Sequence, residues 1–218
     1  MEPVKIIYFS DILCVWAYVA QRRVDELKRQ YGDEIEIETR FCSIFGDTAT
    51  KIGEGWADRG GYEGFNRHLG AVAKQFPDLE LNPRLWLEAR PATSLSIHVF
   101  LKAVEIADPS WLDNAALGLR HAFFREGRDI AQWDVQCDIA HALGYDRDPI
   151  VRAVHSGAAF ARVAADYQEA ERLSVQGSPS FVLNEGRQKL YGNVGYLVLD
   201  ANVKELLRAP KGDQASWC

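Results

Sequence analysis

The sequence lacks long hydrophobic runs and closely spaced cysteines. Nowhere do about 18 apolar residues follow one another, so a membrane-spanning helix is excluded. The four cysteines, at positions 14, 42, 137 and 218, show neither the close pairs of a zinc site nor the density of a disulfide-stapled secreted domain. We therefore expect reduced thiols and no disulfide framework.

Positive charge is also scarce, because 25 Lys and Arg residues stand against 31 Asp and Glu residues, a net charge of −6. No basic run appears, so neither nucleic acid nor an anionic membrane surface is expected as a partner. The absence of a phosphate loop, a G-x-G-x-x-G fingerprint and a G-x-S-x-G motif disfavours nucleotide-binding and hydrolase functions. Residues 1–11 carry no basic leader before a long apolar core, so we expect no secretion and a cytoplasmic location.

The five histidines form no metal-binding motif. None stands four residues from another, so no metal site is predicted. His98 and His121 fall in predicted helices, where a structural role is the more frequent one, although a helix covering an active site could supply an acid or a base.

The N-terminal segment has the pattern of a β-α-β unit. The apolar run 4–9 predicts a strand covered on both faces, and Ser10 and Asp11 are good N-cap residues for a helix that ends at about Tyr31. Residues 35–42 alternate between apolar and polar, which predicts a strand with one polar face.

The middle of the chain changes character from residue 46 to about residue 174. β alternation disappears, and helical segments are separated by Gly, Pro or Asp-Pro. The predicted helices are 61–75, 93–107, 110–126, 130–143, 148–155 and 158–173. A hairpin around an Asn184-Glu185-Gly186 turn and a last helix from about 196 to 208 follow. With 47% hydrophobic residues we expect one compact unit.

We accordingly predict three parts. Residues 1–45 and 175–210 form one α/β domain, residues 46–174 form an all-helical insertion domain, and residues 211–218 form a C-terminal tail.

Two local features carry a resemblance to a known family. Cys14 lies just past a strand end at the first turn of a helix, and the stretch VQGSPSF places Pro179 at the start of a later strand. With the order β-α-β, helical insertion, β-β-α, the chain resembles the DsbA-like oxidoreductases, including their cytoplasmic branch, over roughly residues 3–208. Neighbouring families are the 2-hydroxychromene-2-carboxylate isomerases and the kappa-class glutathione transferases. The resemblance implies a thioredoxin fold in which Pro179 is cis and faces Cys14.

The helix start departs from the family pattern. Oxidoreductases of this family carry C-x-x-C, whereas this chain reads Cys14-Val15-Trp16-Ala17, and the isomerase and transferase branches usually begin with serine. A thiol at a helix N-terminus is favoured as the thiolate by unpaired N–H groups and the helix dipole. We expect Cys14 to be an activated nucleophile that forms mixed disulfides, which an external thiol must release.

The remaining site residues follow from the resemblance. The backbone of Ser178, beside Pro179, is expected to bind an extended peptide or glutathione as an additional strand. Trp16 is expected to line the same groove, and Asn193 matches the polar pair that grips the γ-glutamyl end of glutathione in the transferases. Whether another of the cysteines at 42, 137 and 218 acts as a resolving thiol stays open.

Three functions therefore remain in competition. The leading one is a thiol-disulfide oxidoreductase with a single active-site cysteine and glutathione or a protein thiol as partner. The second is a glutathione-dependent isomerase or transferase in which Cys14 hydrogen-bonds the glutathione thiolate, and the third is a non-catalytic binding protein. No tightly bound cofactor is expected, glutathione would be a co-substrate, and the substrate, the redox direction and a homodimeric state stay open.

Overall fold

A four-stranded mixed sheet forms the centre of the fold in the computed structural model, which describes residues 2–208. The strands lie in the order β2-β1-β3-β4. Their bounds are Val4–Ser10 (β1), Ile35–Phe41 (β2), Ser180–Leu183 (β3) and Gln188–Tyr191 (β4). The predicted tail, including Cys218, lies outside the described residues.

The central strand β1 pairs in parallel with β2 and antiparallel with β3. Its last residue, Ser10, lies opposite Phe41, and Phe9 lies opposite Ser180. The carboxyl ends of β1 and β2 and the beginning of β3 therefore lie together at one end of the sheet. Because only a short turn separates β1 from the first helix, that end of the sheet also holds Cys14.

The helices mostly follow the predicted segments. They are Val15–Tyr31 (α1), Gly61–Gln75 (α2), Leu85–Glu88 (α3), Leu95–Ala107 (α4), Leu112–Phe124 (α5), Trp133–Ala142 (α6), Arg147–His155 (α7), Ala158–Arg172 (α8) and Tyr196–Arg208 (α9). In residues 2–208 no helix is both long and apolar enough to cross a membrane.

The start of α1 differs from the prediction. Its N-cap is Cys14, with extended backbone angles of φ −82° and ψ 117°, and not Ser10 or Asp11. A tight turn closed by the Cys14 N–H on the Asp11 carbonyl, 3.1 Å away, separates β1 from the helix. The helix start is thus three residues later than an Asp11 cap would give, and the thiol stands on the N-cap position itself.

The insertion shares a hydrophobic core with the active-site end of the sheet. One cluster of buried side chains extends from Ile12 and Leu13 through the first turn of α1 into the helices of the insertion, from α2 to α8 inclusive. The insertion therefore packs directly over the residues that precede and follow Cys14.

A short π-helical segment, Ala49–Glu54, and a 3₁₀ turn, Ala57–Arg59, precede α2. The predicted helices do not include the π-helical segment.

Candidate active site

The structure brings Cys14 and Ser178 into contact. The Cys14 S–H donates to the Ser178 carbonyl oxygen, with the sulfur 3.1 Å from that oxygen, and the Ser178–Pro179 peptide bond is cis. These residues are 164 positions apart in the sequence. The predicted juxtaposition of the thiol and the proline loop is therefore present.

Asp11 ties the segments around this contact together. Its side chain is fully buried and accepts four hydrogen bonds. The donors are the N–H groups of Leu13 (3.0 Å), Ile44 (2.9 Å) and Phe45 (2.8 Å) and the hydroxyl of Ser94 (2.8 Å). Its own N–H donates to the Ser178 hydroxyl oxygen at 2.8 Å. The turn before Cys14, the segment after β2, the insertion and the proline loop are thus joined at one residue.

The acidity of Cys14 is opposite to the expectation from its helix position. Burial of the thiol, which is 6% exposed, raises its pKa above the ordinary value of 9.0. Hydrogen bonds from the Ala17 and Trp16 N–H groups and from the Ser178 side chain lower the pKa, and the Asp11 carboxylate raises it again. Because desolvation outweighs the helix terminus, the thiol is the resting form at neutral pH.

This acidity predicts a characteristic pH dependence of alkylation. Because only the thiolate reacts, the rate at Cys14 is expected to rise about tenfold per pH unit from pH 7 and to keep rising above pH 9. Peptide mass spectrometry after timed iodoacetamide treatment measures this rate, with N-acetylcysteine as the reference thiol. A rate that is already constant at pH 7 would contradict the raised pKa.

Other residues predicted for the site lie at the same end of the sheet. Pro179 is buried, and its carbonyl accepts the Gly192 N–H at 2.8 Å, which places the exposed Asn193 next to the proline loop. Trp16 is half-buried, and its ring packs edge-on against Phe76 with centroids 6.2 Å apart. Trp16 therefore packs against Phe76, the residue that directly follows α2.

The remaining cysteines in the described part of the chain are free thiols. Cys42 is buried behind the proline loop, with its sulfur 3.9 Å from the Gly177 carbonyl oxygen, and burial raises its pKa well above the usual range. Cys137 lies on α6, and burial raises its pKa as well. Within residues 2–208 no cluster of His, Cys, Asp and Glu could hold a metal ion.

Sequence reasoning missed the roles of Asp11 and His98. His98, on α4, is fully buried, and its Nε2 accepts the Ile12 N–H at 3.3 Å, within the turn before Cys14. An aspartate two residues before a turn amide is a recognised local signal, and the Asp11 to Leu13 contact follows it. The contacts of His98 depend on how the insertion packs, for which the sequence carries no local signal.

The chain belongs to the DSBA-like thioredoxin domain family, whose profile matches residues 5–204. Similar solved structures include a probable DsbA oxidoreductase from Streptomyces coelicolor, 19% identical, with a TM-score of 0.76, covering 98% of this chain and 94% of the other. The cytosolic disulfide reductase DsbM from Pseudomonas aeruginosa is 18% identical, with a TM-score of 0.69 and coverage of 92% and 98%.

A 2-hydroxychromene-2-carboxylate isomerase is also similar, at 18% identity and a TM-score of 0.66, covering 94% of this chain and 97% of the other. A search of curated protein sequences finds no match. The predicted family and the thioredoxin fold with a helical insertion are therefore confirmed. At these identities the structural likeness establishes the fold alone.

Proposed function

We propose that this protein is a DsbA-like thiol-disulfide oxidoreductase in which Cys14 alone forms mixed disulfides with glutathione or protein thiols. The observation that carries the proposal is the 3.1 Å contact between the Cys14 sulfur and the Ser178 carbonyl. A sulfur at a helix N-cap, next to a backbone segment that can hydrogen-bond a substrate, is placed for attack on a bound disulfide once it has lost its proton.

The backbone of Ser178 supports binding of an extended substrate. Among residues 2–208 the Ser178 N–H has no hydrogen-bond partner, whereas its carbonyl is occupied by the Cys14 S–H. An incoming peptide or glutathione backbone would bond to this free N–H and compete for the carbonyl, as an added strand does. In support of glutathione, the disulfide reductase DsbM of Pseudomonas aeruginosa has a solved structure with glutathione.

The reaction balances without a second protein thiol. Cys14 loses its proton to solvent, its sulfur attacks one sulfur of a disulfide, and the other sulfur leaves as a thiolate. Because position 17 is alanine, a second external thiol must then attack the mixed disulfide, and this attack restores Cys14. The two steps together exchange one external thiol into the disulfide: the attacking thiol becomes part of a new mixed disulfide, and one sulfur of the original disulfide is released as a thiolate. A cytoplasmic location, where glutathione is abundant, is part of this proposal.

Incubation with oxidised glutathione at pH 9 followed by mass spectrometry tests the proposal. The wild-type protein is expected to gain one glutathionyl group, located at Cys14, and Cys14→Ser is expected to lose this uptake. Cys137→Ser is the matched control, because Cys137 is the most accessible of the three cysteines within residues 2–208 and its loss should not change the uptake. Equal labelling of every cysteine, or undiminished uptake by Cys14→Ser, would overturn the proposal.

A second candidate is a glutathione-dependent isomerase or transferase. The observation that favours it is the raised pKa of Cys14, because a side chain that keeps its proton can donate a hydrogen bond to the thiolate of bound glutathione. In that case Cys14→Ser would retain glutathione-dependent turnover of an aromatic substrate, and Cys14→Ala would lose it. Absence of glutathione binding by Cys14→Ser in calorimetry would eliminate this candidate.

A further inference from the structure

Helix α4 presents a line of buried polar side chains to the active-site end of the sheet. Ser94, His98 and Lys102 follow one another at intervals of four residues and are at most 4% exposed. The Ser94 hydroxyl donates to Asp11, and the Lys102 ammonium group donates to the Thr39 carbonyl at 3.3 Å. In addition to apolar packing, specific hydrogen bonds thus fix the insertion to the turn before Cys14 through Ser94 and to strand β2 through Lys102.

His98 lies in the middle of this line and contacts the turn directly. Its Nε2 accepts the Ile12 N–H at 3.3 Å, and its Nδ1 lies 2.8 Å from the Tyr167 hydroxyl oxygen. The imidazole ring stacks on Phe41, with centroids 4.6 Å apart and an interplanar angle of 9°. Because Nε2 must offer a lone pair to an amide N–H, we assign the ring proton to Nδ1, which donates to Tyr167.

The charges around His98 are consistent with a neutral ring. Burial lowers its pKa to about 4, the carboxylate of Asp11 opposes this shift, and Arg120 and Lys102 add to it. Asp11 Oδ1 is 3.8 Å from Nε2, too far for a hydrogen bond. At neutral pH the ring therefore acts as a fixed acceptor for Ile12.

We propose that His98 is a positioning residue for Cys14, which holds the turn from Asp11 to Cys14 so that the thiol faces the Ser178 carbonyl. This inference rests on the proposed mixed-disulfide function of Cys14. The Ile12 amide lies between two other hydrogen bonds of the same turn, from Leu13 N to Asp11 Oδ1 and from Cys14 N to the Asp11 carbonyl. Removing its acceptor therefore loosens the segment that sets where the sulfur lies.

A pair of matched substitutions separates positioning from general stability. Glutamine at position 98 places an amide oxygen near the site of Nε2 and can accept from Ile12, whereas asparagine reaches only the site of Nδ1. We expect His98→Asn to slow reaction of Cys14 with oxidised glutathione by about tenfold to a hundredfold, as misplacement of a reacting group does. His98→Gln should retain most of the wild-type rate.

Alkylation by iodoacetamide provides the second readout, because a small reagent needs only access to the sulfur. The alkylation rate should fall less in His98→Asn than the rate of reaction with oxidised glutathione, so the ratio of the two rates reports on positioning.

Tyr167→Phe keeps the contact between His98 and Ile12 but removes the group that fixes the ring proton on Nδ1. We expect this variant to slow the glutathione reaction severalfold, and it serves as the test where His98→Asn does not fold.

The outcomes distinguish the two proposals. If wild-type Cys14 takes up no glutathione, the proposed function fails. If the wild type reacts but His98→Asn matches it, or if His98→Gln and His98→Asn lose both reactions equally, the positioning role of His98 is overturned. An unchanged glutathione reaction in Tyr167→Phe would also count against it.

Discussion

Replacing Ala17 by cysteine is expected to convert the single-thiol site into one that closes an intramolecular disulfide. Ala17 follows the N-cap by one helical turn, and its N–H donates to the Cys14 carbonyl at 3.1 Å. Side chains three residues apart on a helix have Cβ atoms about 5–6 Å apart, within a small backbone adjustment of disulfide geometry. After treatment with oxidised glutathione, Ala17→Cys should therefore lose two hydrogens and retain no glutathionyl group.

The matched control is Ala17→Ser, which has nearly the same size as the cysteine variant but no second thiol. This variant should still accumulate the glutathione adduct at Cys14, as the wild type does. Intact-protein mass spectrometry and tryptic mapping distinguish the two products. If Ala17→Cys kept a stable adduct like that of Ala17→Ser, then the absence of a resolving thiol would not be what determines the fate of the mixed disulfide.

The fold could be predicted where local pattern decides structure. The β1 run and helix α2 at 61–75 have the predicted extents to within a residue, because their apolar periodicity and flanking breakers are local. The π-helical segment Ala49–Glu54 has no such period, since its defining bond joins the Gly55 N–H to the Thr50 carbonyl across five residues. Local propensities give no signal for such a turn.

The site was predictable in position but not in chemistry. That Cys14 lies at a helix N-terminus follows from the strand before it and the helix after it. The net acidity of its thiol depends instead on how fully the insertion covers it, and the partners of Asp11 stand 33, 34 and 83 residues away. The local sequence pattern that marks Asp11 as a helix cap therefore carries no information about the four segments that this residue joins.

Removal of the Asp11 side chain is expected to produce the largest loss of stability of any single change in the turn. Asp11→Ala leaves three buried donors and one part-buried donor without their acceptor, and each unsatisfied buried donor costs about 1–3 kcal/mol. Allowing for entry of water and some relaxation, we expect the free energy of unfolding to fall by about 4 kcal/mol or more. The urea midpoint should shift with little change in slope.

Asp11→Asn provides a graded comparison. If its amide oxygen takes the place of Oδ2, the hydrogen bonds from Ile44, Phe45 and Ser94 persist and only the bond from the Leu13 N–H is lost. We then expect the free energy of unfolding to fall by about 1–2 kcal/mol. Asp33→Ala, at an exposed site in the turn after α1, controls for removal of a carboxylate and should change stability little. Equal stability of Asp11→Ala and Asp33→Ala would show that the four hydrogen bonds to Asp11 do not hold these segments together, because the measured cost would then be that of a surface charge.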